Sequence, residues 1–309
     1  MGGSSVRGSE KSRPGSCEEY IAGCDKNVGC VETLVDHARS MAEVLRGPFR
    51  SLAYYVEREY LHLAKTLELE GYSTGITKLV EDPRGASLME ILVVFHDLGK
   101  CTPSSQRSLR EKCTAPYHEA TSAALLLAYL SFLGARTLLE ALPLVLAVLL
   151  HHHAMRGLGH VREQVHQIRL GPEDLESALR GLRCVCEILR VPRVEEFSLW
   201  VRAEGLGKFI RALGNLLEAV ESSAGRVGTL GGDLEASLAR VYRSSILLTA
   251  ALSAADNVAA TLNRRLCGEV GVWEALKTGA LYGFVRYLLA REIVREGAVK
   301  AFRRVLGVT

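Results

Sequence analysis

No Cys-x-x-Cys pair occurs among the eight cysteines, at positions 17, 24, 30, 101, 113, 184, 186 and 267. That absence excludes the usual zinc-knuckle and thioredoxin spacings, and Cys184-x-Cys186 is one residue too short for either. The cysteines are therefore expected to be buried small hydrophobes. A disulfide involving Cys17, Cys24 and Cys30 is the alternative, open to a hyperthermophile's cytosolic protein. The phosphate-cradling motif GxxxxGK[ST] is missing, which excludes an ATP-binding P-loop. Period-two alternation is nearly absent, and no Asn-Gly or Asp-Gly pair marks a hairpin. Asn and Gln together number only seven, a scarcity of thermolabile amides that points to a thermophilic source. No apolar stretch opens the chain, so no secretory signal is visible and a cytoplasmic location is expected. The longest apolar runs, 123–134 and 141–150, are too short to span a bilayer.

What is present is a helical protein. Hydrophobic residues make up 48% and charged residues 24%, the profile of a globular chain. A net charge of +3 neither demands nor excludes an acidic partner. Residues 1–16 are rich in Gly, Ser and Arg and are expected to form a disordered tail, leaving 17–309 as a single domain. Apolar residues at three- and four-residue spacing predict helices over 31–45, 51–72, 86–99, from Pro116 onward, 135–155, 173–189, 195–220, 234–265 and 272–306. The fold class expected is all-α. Residues 286–309 carry six basic side chains against two glutamates, which makes a solvated amphipathic helix or a nucleic-acid contact.

The polar residues that interrupt this apolar pattern are the informative ones. His96 and Asp97 close the most hydrophobic helix, within FHDLGK. His37 follows an apolar stripe, and His118 opens the next helix. His151, His152 and His153 end the run 141–150, and Asp256 stands in the apolar stretch LLTAALSAADNVAA. One buried histidine is usually a hydrogen-bonded core residue. Five or more at the ends of buried helices would be costly to desolvate together without a cation, and neutral imidazole is the commonest metal ligand. Imidazole and carboxylate without thiolate favour Fe, Mn, Co, Ni or Zn in a hydrolytic site over a structural Cys-zinc site. His62, His160 and His166 lie in more polar surroundings and stay outside this set.

The ordered series His37, His96-Asp97, His118, His151–His153 and Asp256 resembles the HD superfamily of metal-dependent phosphohydrolases. His118, the histidine triplet and the HDLGK sequence make it similar in particular to the HD nuclease of type I CRISPR systems, in its stand-alone form. The likeness runs in order over residues 31–260.

The resemblance implies an HD-domain helical bundle with the metal site between its central helices. It implies two divalent transition-metal ions, with Mn, Fe, Ni or Co ahead of Zn or Mg. His37, His96, Asp97 and Asp256 would hold one. Asp97 would bridge to the second, held by His118 with two of the triplet, assigned as His151 and His152 with His153 lining the site; the alternative register is His152 and His153. Lys100 would contact the scissile phosphate or orient Asp97, and the segment CTPSSQR after it is expected as a loop at the mouth. The implied activity is hydrolysis of DNA phosphodiester bonds, single strands preferred. A separate CRISPR helicase subunit and the crRNA-guided surveillance complex are the implied partners, and no membrane is. The alternative within the superfamily is a nucleotide or cyclic-nucleotide phosphohydrolase.

Overall fold

A computed structural model describes residues 17–69, 87–135, 138–152, 158–224, 232–269 and 271. The tail 1–16, His153 and the basic segment 272–306 lie outside the described residues. Within them the chain is all-α apart from one short hairpin, with eleven α-helices. These are α1 (Leu34–Arg46), α2 (Arg50–Leu69), α3 (Leu88–Phe95), α4 (Pro103–Lys112), α5 (His118–Phe132) and α6 (Leu138–Leu150). Then follow α7 (Leu158–Gln167), α8 (Pro172–Cys186), α9 (Val194–Glu204), α10 (Leu206–Ala224) and α11 (Gly232–Ala260).

Local chemistry sets the ends that matter. Thr33 caps α1 by accepting from the Asp36 N–H, and α3 begins on a capping box between Ser87 and Glu90. Every residue of α3 except the capping Glu90 is buried, as its apolar sequence requires. The helix stops at Phe95. His96 and Asp97 form a turn, and Leu98–Cys101 continue as a 3₁₀ segment. The helix expected from Pro116 starts two residues later, because Tyr117 adopts φ +62° and sets the direction of α5. The helix expected over 195–220 is broken at Gly205, whose φ of +77° ends α9. The helix α11 packs against α6, α1 and α2 at the centre of the fold. Its stretch Ala239–Arg264 is long and apolar enough to cross a membrane, but two-thirds of the window is buried inside the protein. It is a core helix.

Three further expectations are corrected. Residues 31–33 are not helical: Ile21–Cys24 (β1) and Val31–Thr33 (β2) pair antiparallel, with Gly23 opposite Glu32. The intervening turn is held by the Asp25 carboxylate, which accepts from the Asn27 and Val28 N–H groups, and by Gly29 at φ +81°. The segment after Lys100 is not a loop but α4, capped by Thr102 with Pro103 in the first turn, and Ser105 is buried. Finally, six of the eight cysteines are disulfide-bonded, as Cys17–Cys184, Cys24–Cys113 and Cys30–Cys267. Cys17, Cys24 and Cys30 each pair with a distant partner, so the hairpin segment is stitched to α8, to the end of α4 and to the chain after α11. Only Cys101 and Cys186 are free.

Candidate metal centre

Four buried histidines point one ring nitrogen at a common space. Three are oriented by the carbonyl three residues back in the chain. His96 Nδ1 donates to the Val93 carbonyl at 2.7 Å, His118 Nδ1 to Ala115 at 2.6 Å and His151 Nδ1 to Val148 at 2.6 Å. A carbonyl only accepts, so each Nδ1 carries the proton and each Nε2 lone pair is left free for a ligand role. The fourth, His37, reaches inward from α1 with Nε2 3.0 Å from Asp256 Oδ1 and 3.2 Å from His96 Nε2.

The ligand atoms fall into two groups. His37, His96 and Asp256 form one, and Asp97, His118, His151 and His152 the other, each with its atoms within 4.8 Å of one another. Asp97 belongs to both by geometry. Its Oδ1 lies 3.2 Å from His118 Nε2 and 3.8 Å from His151 Nε2, while Oδ2 lies 3.3 Å from His96 Nε2 and 3.6 Å from His37 Nε2. His152 completes the second group, with Nδ1 3.4 Å from Asp256 Oδ2 and a side chain 30% exposed. It is the open edge of an otherwise buried cluster. His153 lies outside the described residues.

Close approach without hydrogen-bond geometry is the test of fit for a cation. Asp97 Oδ1, Asp256 Oδ1, His118 Nε2 and His151 Nε2 are all buried and make no properly directed hydrogen bond. An unsatisfied buried polar group costs about 1–3 kcal/mol. Four converging on one space is a cost that metal coordination would remove, and the residues present fit the role. The electrostatics agree. Burial alone would push the Asp97 carboxyl up, but His96 and Lys100 beside it hold it well below the usual carboxylate range. Asp256 is likewise driven up by burial and held far down by His152 and His37. Burial would lower His37, but Glu32 and Asp256 carry it the other way, to about 9. A metal at this ring therefore has to displace a proton over most of the physiological range.

Lys100 does not share a helical face with His96. The 3₁₀ turn brings its Nζ to 2.7 Å from Asp97 Oδ2 in a buried pair, three residues apart. Gln106 Nε2 donates to the Lys100 carbonyl and fixes the turn from α4. Between them, Gly99 lies against the first turn of α5, its N–H donating to Ser122 Oγ at 2.8 Å. A Cβ on Gly99 would sit 2.1 Å from the His118 carbonyl oxygen and 2.9 Å from its Cα. Backbone cannot yield as a side chain can, so Gly99→Ala should displace His118 from Asp97. The expected result is a 10–100-fold weaker uptake of the second metal, measured by titrating the metal-free protein, with the helical circular dichroism retained.

Three residues of the centre lie outside the expected set. Glu32, Asn263 and Arg264 stand behind His37: Glu32 Oε1 is 2.7 Å from His37 Nδ1, Asn263 Nδ2 donates to the same oxygen at 2.7 Å, and Arg264 Nε donates to Oε2. Arg264 is thus spent on Glu32 and does not pair with Asp256. Of the arginines following the triplet, Arg162 pairs with Glu221 at 2.6 Å, Arg169 caps carbonyls at the end of α7, and Arg193 lies over Phe132. These three serve the fold.

No family model matches the sequence, and no curated protein does. Among solved structures there is a likeness to the CRISPR-associated Cas3 HD domain protein of Methanocaldococcus jannaschii, with 17% sequence identity and a TM-score of 0.44, covering 72% of this chain and 95% of that one. A likeness of that size carries no argument about chemistry.

Proposed function

We propose that the chain is a two-metal phosphohydrolase of the HD type that hydrolyses DNA phosphodiester bonds, single strands preferred. The observation that carries this reading is the division of Asp97, one oxygen toward each of two groups of imidazole and carboxylate donors. Two ions so placed would activate a water and stabilise the attacking and leaving oxygens of an in-line phosphoryl displacement. His37, His96 and Asp256 would hold the first ion, His118, His151 and His152 the second. Lys100 is a positioning residue in this scheme, since its ammonium is committed to Asp97 Oδ2. His152, the most exposed member of the set, marks the side from which substrate arrives. The partners that accompany this reading are a separate CRISPR helicase subunit and a crRNA-guided complex, both supported by the resemblance in the HDLGK and histidine motifs.

The test is a substrate panel. Protein stripped with chelator and reloaded with Mn²⁺, Ni²⁺ or Co²⁺ should cleave single-stranded DNA, and the stripped protein should not. Deoxynucleoside triphosphates and cyclic nucleotides serve as the competing substrates. Turnover of mononucleotides alone would overturn the nuclease reading in favour of a nucleotide phosphohydrolase.

A further inference from the structure

His37 differs from the other three buried imidazoles in what orients it. His96, His118 and His151 give their Nδ1 hydrogen bonds to neutral carbonyls three residues back in the chain, whereas that of His37 goes to the carboxylate of Glu32 at 2.7 Å. Glu32 is fully buried and comes from β2, outside the helix that carries His37. Both of its oxygens are taken. Oε1 accepts from Asn263 as well as from His37, and Oε2 from Arg264. Asn263 also donates to Ser40 Oγ at 3.1 Å, one turn beyond His37, so the support grips α1 as well as the carboxylate. The π turn that supplies Asn263 and Arg264 directly follows α11, the helix of Asp256. One rigid unit thus presents a ligand to the first metal position and fixes the carboxylate behind another.

A carboxylate behind a ligating imidazole fixes the ring and makes its free nitrogen a stronger donor, an effect of about 10–100-fold in metal affinity. We infer that Glu32 is a positioning residue that sets the order of metal loading, favouring the His37, His96 and Asp256 position over the one built on His118, His151 and His152. This rests on the two-metal reading and adds an asymmetry to it. The first position has a charged second layer behind one of its imidazoles. In the second, the Nδ1 hydrogen bonds of His118 and His151 go to carbonyls, and the Glu119 carboxylate, 3.3 Å from His118 Nδ1, stands beside that bond and does not receive it.

Titration of the metal-free full chain with Co²⁺, followed by calorimetry and by the visible bands of bound cobalt, tests this directly. The wild type should fill two positions in unequal steps. Glu32→Gln keeps the shape but removes the charge, and should weaken the tighter step about 10–100-fold while leaving the other unchanged. Should the single variant not fold, Glu32→Gln with Arg264→Met, which leaves no guanidinium unpaired, carries the same comparison. Two unchanged steps would overturn the inference, as would equal weakening of both together with a lower melting temperature of the metal-free protein. That second outcome would make Glu32 a structural residue only. A wild-type chain that takes up no cobalt would sink the two-metal reading itself, and this inference with it.

Discussion

Asp97→Ala should eliminate metal uptake at both positions and lower DNA cleavage by on the order of 10³-fold or more, beyond the loss from removing a single transition-state donor. The reason is that one carboxylate serves both groups, so its loss opens both at once. Asp256→Ala, by contrast, removes a ligand from the first group and from the second only a neighbour of His152, so it should weaken the first position far more than the second. The difficulty with Asp97→Ala is Lys100. Its ammonium is buried and paired with Asp97 Oδ2 at 2.7 Å, and stranding such a charge costs about 3–5 kcal/mol. A dead, partly unfolded variant would say nothing about the metals. The double variant Asp97→Ala with Lys100→Met removes the stranded charge, so it should regain most of the melting temperature and none of the activity. Metal content after dialysis, cleavage rate and thermal melting, measured on both variants, separate the two effects. Retention of two tightly held ions by the double variant would show that Asp97 bridges nothing.

Much of this centre was legible in the sequence because its parts are locally determined. A histidine just past the end of a buried helix finds the carbonyl three residues back without help, as His96 and His151 do, and His118 at the start of α5 finds that of Ala115 in the preceding connection, so all three stand out by position. Asp97 and Asp256 stood out because a carboxylate in an apolar run has no packing reason to be there. Helices emerged from periodicity, with errors where one residue overrode it. Tyr117 at positive φ moved the start of α5, and Gly205 broke one expected helix into two. The segment CTPSSQR looked like a loop because its Pro and Ser residues are turn formers. They are equally the residues of a helix start, and the Thr102 cap with Pro103 behind it decides for the helix. Glu32 stayed hidden for a different reason. It reaches His37 only because a hairpin too short to show alternation folds back on α1, and its other partners are 231 and 232 residues away. Contacts of that range leave no trace in local pattern.

Reduction of the disulfides should destabilise the metal-free protein by about 2–5 kcal/mol for each bridge, with the overlapping loops making the sum less than additive. The three bridges join residues 89, 167 and 237 apart in sequence, and loop entropy makes bridges of that span the most effective at restricting the unfolded chain. In a chain of this size the melting temperature should fall by roughly 5–15 °C in a phosphine reductant. The bridge Cys30–Cys267 has a second consequence. Glu32 lies two residues after Cys30, and Arg264 three residues before Cys267, so this bridge clamps together the strand and the turn that support His37. Cys30→Ser with Cys267→Ser should therefore weaken cobalt binding at the first position, whereas Cys24→Ser with Cys113→Ser should lower stability and leave binding alone. Thiol counting on denatured, unreduced protein should find two groups, Cys101 and Cys186, rising to eight after reduction. Eight thiols before reduction, or a melting temperature indifferent to reductant, would return the cysteines to the role of small core hydrophobes. The hairpin would then have only its hydrogen bonds to hold Glu32 against His37.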